Sequence, residues 1–148
     1  MSSPKGARLI PQAPGPTPEE VVHISSFALI RKGQQILLAK RLRPEFTAGK
    51  WTIPSAIISY GEHPEDAVRR ITKELLGSDP TSVKLLDLQS YGGKHWDLCF
   101  VYDVSIAGLG SLSPDVERAE YFDILRMPPE FRGDHNEVLQ GLREKRIL

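Results

Sequence analysis

Between Gly61 and Gly77 the sequence writes one complete helix with both ends marked, and the rest of the chain has to be arranged around it. His63-Pro64-Glu65-Asp66 opens the helix. Proline suits a first turn whose N–H groups have no helical partner, and the two acids sit where the helix dipole favours negative charge. Gly77, directly after Leu76, is the expected C-terminal cap. The flanking segments have the character of strands. Val21–Arg31 is apolar and β-branched, Lys32-Gly33-Gln34 is a turn signal and Gln35–Lys40 is apolar again, which predicts a β-hairpin. A polar loop over Arg41–Gly49 leads to a short strand, Trp51–Ile53, stopped by Pro54, and Ile57 and Ile58 precede the turn Ser59-Tyr60-Gly61. Beyond the helix, Val83–Tyr91 and Asp97–Ile106 read as strands. Glu120–Ile124 reads as a shorter strand, and Asn136–Lys145 as a second helix with Val138, Leu139 and Leu142 on its apolar side. The expectation is one mixed α/β (α+β) domain over residues 21–148. Before it, residues 1–20 carry Pro4, Pro11, Pro14, Pro16 and Pro18 and are expected to form a flexible arm.

Charge and composition narrow the function classes. Lys+Arg and Asp+Glu are equal at 19 each, so no net field draws the chain to nucleic acid or to an anionic membrane, and general nucleic-acid binding is not expected. No apolar stretch reaches the roughly 18 residues of a membrane span and the N-terminus lacks a signal-type apolar region, so a cytoplasmic protein is expected. Cys99 has no second cysteine to pair with and lies in an apolar run, as a buried packing residue would.

Gly49-Lys50-Trp51-Thr52-Ile53-Pro54, then Gly61-Glu62, then Ala67, Arg70, Glu74 and Gly77, resembles the Nudix family. That family's box reads G-x5-E-x7-R-E-U-x-E-E-x-G-U, usually preceded by G-x-W-x-x-P-G. Glu62, Arg70 and Gly77 stand at the family's mutual spacing without a gap, and the resemblance extends over roughly residues 21–145. It implies a Nudix fold, with a mixed β-sheet sandwiched between helices. It also implies a hydrolase of nucleoside-diphosphate-linked compounds. There, carboxylates at i, i+3 and i+4 of the helix share Mg²⁺, which makes the diphosphate open to water. Here those three positions are Ile71, Glu74 and Leu75, the box glycine is Ala56, and Ser55 stands before it. Arg70-Ile71-Thr72 is also similar to the altered box of the GDP-mannose mannosyl hydrolase branch, in which water attacks a sugar carbon and one metal neutralises the leaving group. Three features of that branch are missing. Its helix glutamate falls on Leu75, its loop histidine falls near Arg118, and the arginine after its paired glycines, which helps hold the diphosphate, falls on Ile57.

The resemblance makes Glu62 and Glu74 the candidate ligands of a weakly held Mg²⁺, and Glu74 and Glu120 the candidate catalytic carboxylates. Each has a plainer alternative: Glu62 as a helix cap, Glu74 as the i+4 ion-pair partner of Arg70, Glu120 as a surface charge. Arg41 and Arg70 are candidates to steady a diphosphate through bidentate hydrogen bonds, or else structural ion pairs. Tyr60 and Trp96 are candidate substrate contacts, with turn packing and edge packing as the alternatives. His63 and His135 are expected to be exposed, and His23 half-buried on the first strand. Ile71 and Leu75, one turn apart and in line with Ala67, also read as the apolar stripe of an ordinary core helix. Two functions follow: a Nudix-type hydrolase of a nucleotide or nucleotide sugar with a degenerate metal site, or an inactive Nudix module that binds a nucleotide or a protein. Homodimer formation is left open.

Overall fold

The structure is a computed structural model that describes residues 21–93 and 95–148, so the arm expected over residues 1–20 lies outside the described residues. In chain order the elements are β1 (Val22–Leu29), β2 (Arg31–Lys32), β3 (Gln35–Arg41), β4 (Trp51–Thr52), β5 (Ser55–Ile57), α1 (Pro64–Leu76), β6 (Pro80–Tyr91), β7 (Trp96–Ile106), β8 (Val116–Asp123) and α2 (Gly133–Glu144). One sheet has the order β5-β1-β7-β6, with β1 and β7 parallel and the other neighbours antiparallel. In the second, β3 carries β8 along one edge and β2 and β4 along the other, all antiparallel.

Strand alternation divides the core in two. Phe27 and Leu29 of β1, Ile36 and Leu38 of β3, and Cys99 and Val101 of β7 pack with Val138, Leu139 and Leu142 of α2. The intervening positions, Ala28, Leu37, Ala39, Tyr102 and Val104, pack with Val68, Ile71, Leu75 and Leu76 of α1. The mixed sheets therefore lie between the two helices, as the resemblance implies. Cys99 is buried as expected, and burial pushes its thiol up to about 11, so it stays protonated and unreactive.

The ends of α1 match the sequence. His63 Nδ1 accepts the Glu65 N–H at 3.0 Å, and Gly77 caps the helix in the left-handed region at φ 66°, donating its N–H to Lys73 O. Gly77 has a second duty that the sequence does not show. Its backbone lies against Gly110 and Ser111 of the β7–β8 loop so closely that a Cβ on Gly77 would collide with Ser111. Gly110 N–H bonds Leu76 O at 2.9 Å and Ser113 N–H bonds Leu75 O at 3.0 Å, so this loop closes the end of the helix.

Three local features differ from the sequence reading. β8 starts at Val116 and not at Glu120, because it pairs with β3 along its whole length from Gln35 to Arg41. Ser55–Ile57 forms a strand, because it completes the edge of β1 in the register Ser25 with Ile57 and Phe27 with Ser55. His135 is 3% exposed, not a surface residue: its Nδ1 accepts the Ile53 N–H at 3.0 Å and its ring packs edge-on to Phe27. The reason is position, since His135 falls in the first turn of α2 on the side facing the sheet.

Two outcomes are expected. Leu38→Ala, at a fully buried site, should destabilise the fold by about 2–5 kcal/mol in chemical denaturation. Burial also holds the His135 imidazole down at about 3 against an ordinary 6.5, so it is neutral in the fold but takes a proton in the unfolded chain as the pH drops below 6.5. The unfolded state binds the extra proton across that window, and stability present above pH 6.5 is lost progressively as the pH falls toward 3. Urea midpoints measured against pH should show this slope in the wild type and a shallower one in His135→Asn.

Candidate functional site

The loop before α1 is fastened to the helix by one ion pair. Arg70 donates from Nε to Glu62 Oε2 at 2.9 Å and from Nη2 to Glu62 Oε1 at 3.0 Å, a bidentate fork. The Ser59 N–H adds a third bond to Glu62 Oε1 at 3.0 Å, and Arg70 Nη2 reaches the Ile57 carbonyl at 3.3 Å. These hydrogen bonds, the Arg70 pair foremost, hold the Glu62 carboxyl at about 2. Both groups are thus committed to holding residues 57–62 against α1. Neither is aimed outward as a free ligand.

The helix face beyond Arg70 is apolar. Ile71 is 8% and Leu75 4% exposed, and both pack in the α1-side core. Glu74 lies between them in sequence but points elsewhere: its side chain is 55% exposed, with its Oε2 3.7 Å from Arg70 Nη1. Glu120 is not brought to this helix. It pairs in register with Leu38 on β3, and Leu38 faces α2, whereas Leu37 and its partner Tyr121 face α1. Glu120 therefore projects from the α2-side face, where Arg118 Nη1 meets it at 3.2 Å. Tyr60 is fully exposed at the turn. Trp96 starts β7, two strands from β5, and its indole N–H donates to Ser90 Oγ at 2.7 Å.

What the fold does gather is a basic cleft of about 240 Å³, lined by Arg41, Pro44, Thr47, Ser55, Ala56, Ile57 and Arg132. Arg41 closes β3, Ser55–Ile57 form β5, and Arg132 immediately precedes α2. Arg132 Nε pairs with Asp134 at 2.6 Å. Arg41 is different. Its Nε is buried with no hydrogen-bond acceptor among the described residues. Burial lowers the pKa of its guanidinium, Asp115 offsets part of this, and the charge of Arg132 adds a smaller lowering. Arg41 was legible in the sequence. Arg132 was not, because a lone arginine ahead of a helix carries no signal of what the fold sets across from it.

The sequence model of the NUDIX domain matches residues 21–142. The chain belongs to the Nudix family. A curated relative, the ADP-ribose pyrophosphatase of Methanocaldococcus jannaschii, is 32% identical over 117 residues, covering 76% of this chain and 68% of the relative. The MutT NUDIX hydrolase of Burkholderia pseudomallei superposes with a TM-score of 0.70 at 25% identity, over 82% of this chain and 98% of that one. The NUDIX domain of Shewanella oneidensis NrtR, solved with ADP ribose, superposes with a TM-score of 0.62 at 20% identity, over 85% and 88%.

Nudix hydrolases generally use divalent metals, and whether this chain's residues fit one follows from its donors. At the three helix positions two side chains are buried hydrocarbon, and Glu62 is taken up by Arg70 and Ser59. Glu74 alone remains, and one carboxylate is too few hard oxygen donors for a shared Mg²⁺ cluster. The donor set does not fit that group.

The clasp is testable by carboxyl NMR. Glu62 should titrate near 2 in the wild type and return toward the ordinary carboxylate range in Arg70→Ala. An unchanged Glu62 titration in the variant would show that Arg70 does not hold it.

Proposed function

We propose that this Nudix chain takes a nucleoside-diphosphate-linked compound into the Arg41–Arg132 cleft and hydrolyses it slowly, with ADP-ribose favoured over a nucleotide sugar. The observation that carries the reading is the buried Nε of Arg41, which has no acceptor among the described residues. A buried donor without an acceptor costs about 1–3 kcal/mol, a cost removed by a ligand that supplies an oxygen there. Two guanidinium groups lining one small cleft also repel, and a diphosphate relieves both terms at once. The M. jannaschii relative is named for ADP-ribose, and the S. oneidensis domain holds it, which is why that compound comes first.

In this proposal the arginines supply the positive charge that makes the diphosphate open to attack. Glu74, the exposed carboxylate left among the three box positions, takes the proton of a water whose oxygen bonds to one phosphorus as the P–O–P bridge breaks, and the other phosphate leaves as an anion. Slow turnover follows from the loss of the other helix carboxylates. A second reading, binding without turnover, is favoured by the burial of Ile71 and Leu75, which leaves the helix face with no metal-binding role.

Calorimetry with ADP-ribose and an assay of its cleavage test both readings. Binding should weaken about ten- to hundred-fold in Arg41→Ala, as expected when a charged hydrogen bond is removed, and should change little when EDTA removes divalent metal. Cleavage that falls in Glu74→Gln with binding intact supports the slow hydrolase. Binding without measurable cleavage supports the second reading. Equal ADP-ribose affinity in the wild type and Arg41→Ala would overturn the assignment of the cleft.

A further inference from the structure

A second constellation shares no residue with the cleft. In the parallel pair of β1 and β7, His23 stands in register with Asp97. His95 stands in the bend just before β7, and its side chain turns back onto Asp97, so one carboxylate faces both imidazoles. Among the described residues, this is the one place where three groups of metal-binding type bring ligand atoms within 4.8 Å of one another.

Each imidazole faces a different oxygen of the same carboxylate. Asp97 offers Oδ1 to His23 Nδ1 at 3.6 Å and Oδ2 to His95 Nε2 at 3.4 Å, and the two imidazole rings lie 4.4 Å apart. Both N···O distances are longer than the roughly 2.7–3.2 Å of a hydrogen bond, so neither contact is closed as one. Around a tetrahedral Zn²⁺, with ligands at about 2.0–2.1 Å, neighbouring donor atoms stand about 3.4 Å apart. The side chains are each about two-fifths exposed (42%, 41% and 40%), so an ion can enter from solvent without a structural opening. Asp97 also borders a small pocket of about 60 Å³ that Glu137 lines, and this acid adds a field that favours a cation, while Asp134 beside it is paired with Arg132.

We propose that His23, His95 and Asp97 bind a divalent transition metal of the Zn²⁺ class. Two imidazole nitrogens and one carboxylate select such an ion over Mg²⁺ or Ca²⁺, which prefer all-oxygen shells. Three protein ligands leave one tetrahedral position for water or a small anion. The ion joins the start of β1 to the start of β7, the parallel pair at the middle of the sheet, and by mass action it stabilises the folded chain.

The test uses the whole chain, stripped with a chelator that is then removed, and titrated with Zn²⁺ alone. Calorimetry should give one ion per chain, with a higher unfolding temperature that excess Mg²⁺ does not reproduce. His23→Ala, His95→Ala and Asp97→Asn should each weaken Zn²⁺ at least about ten-fold, while the metal-free variants melt close to the wild type. The absence of Zn²⁺ binding by the wild type, or full affinity in both histidine variants, would overturn the site. Co²⁺ on the wild type decides independently of any variant. The intense visible spectrum of a four-coordinate ion supports the proposal, and the weak spectrum of a six-coordinate one contradicts it.

Discussion

The seating of α1 on the sheets through Val68, Ile71, Leu75 and Leu76 is the contact on which the rest of the molecule depends. It fixes the helix that the Glu62–Arg70 pair fastens to the preceding loop, and that loop continues from β5, which forms one wall of the arginine cleft. It also fixes the far end, where Gly77 meets Gly110 and the β7–β8 loop closes over the last carbonyls. In a Nudix helix with the full box, two of those four positions carry carboxylates. Here each is an aliphatic side chain inside the core, a favourable burial of roughly 1.5–3 kcal/mol apiece. The same side chains that secure the helix leave no carboxylate at those two positions.

Much of this was legible in the sequence for local reasons. Pro64 and Gly77 bound α1 because their backbone requirements are set by the residues themselves, and Gly33, at φ 62°, makes the turn between β2 and β3. The apolar stripe of Ile71 and Leu75 was also readable, since helical spacing alone defines it. What could not be read depended on pairing across the chain. β5 exists because β1 has an open edge beside it. His135 is buried because the first turn of α2 faces Phe27 and Ile53. Glu120 sits on the α2 side because it is in register with Leu38, and a shift by one residue would have turned it to α1. The spacing of a box says which residues lie on one helix, but not which face of a distant strand looks toward it.

The cleft and the histidine cluster illustrate two ways a fold assembles charge. Arg41 and Arg132 come from separate parts of the chain to line one cleft, where the Nε of Arg41 has no acceptor among the described residues. His23, His95 and Asp97 come together through strand register and form a site suited to a cation. No helix among the described residues is long and apolar enough to cross a membrane.

Ile71 and Leu75 fill the core at the positions where the full Nudix box carries carboxylates, and the double substitution Ile71→Glu with Leu75→Glu tests this most directly. Thermal unfolding followed by circular dichroism, with and without Mg²⁺, is the measurement. If both side chains are packed as described, the variant buries two unpaired carboxylates, which costs several kcal/mol, and the fold should be lost or melt far below the wild type whether or not Mg²⁺ is present. A variant that melts like the wild type, and that gains stability from Mg²⁺, would contradict the account and show that the helix face is open to solvent and metal.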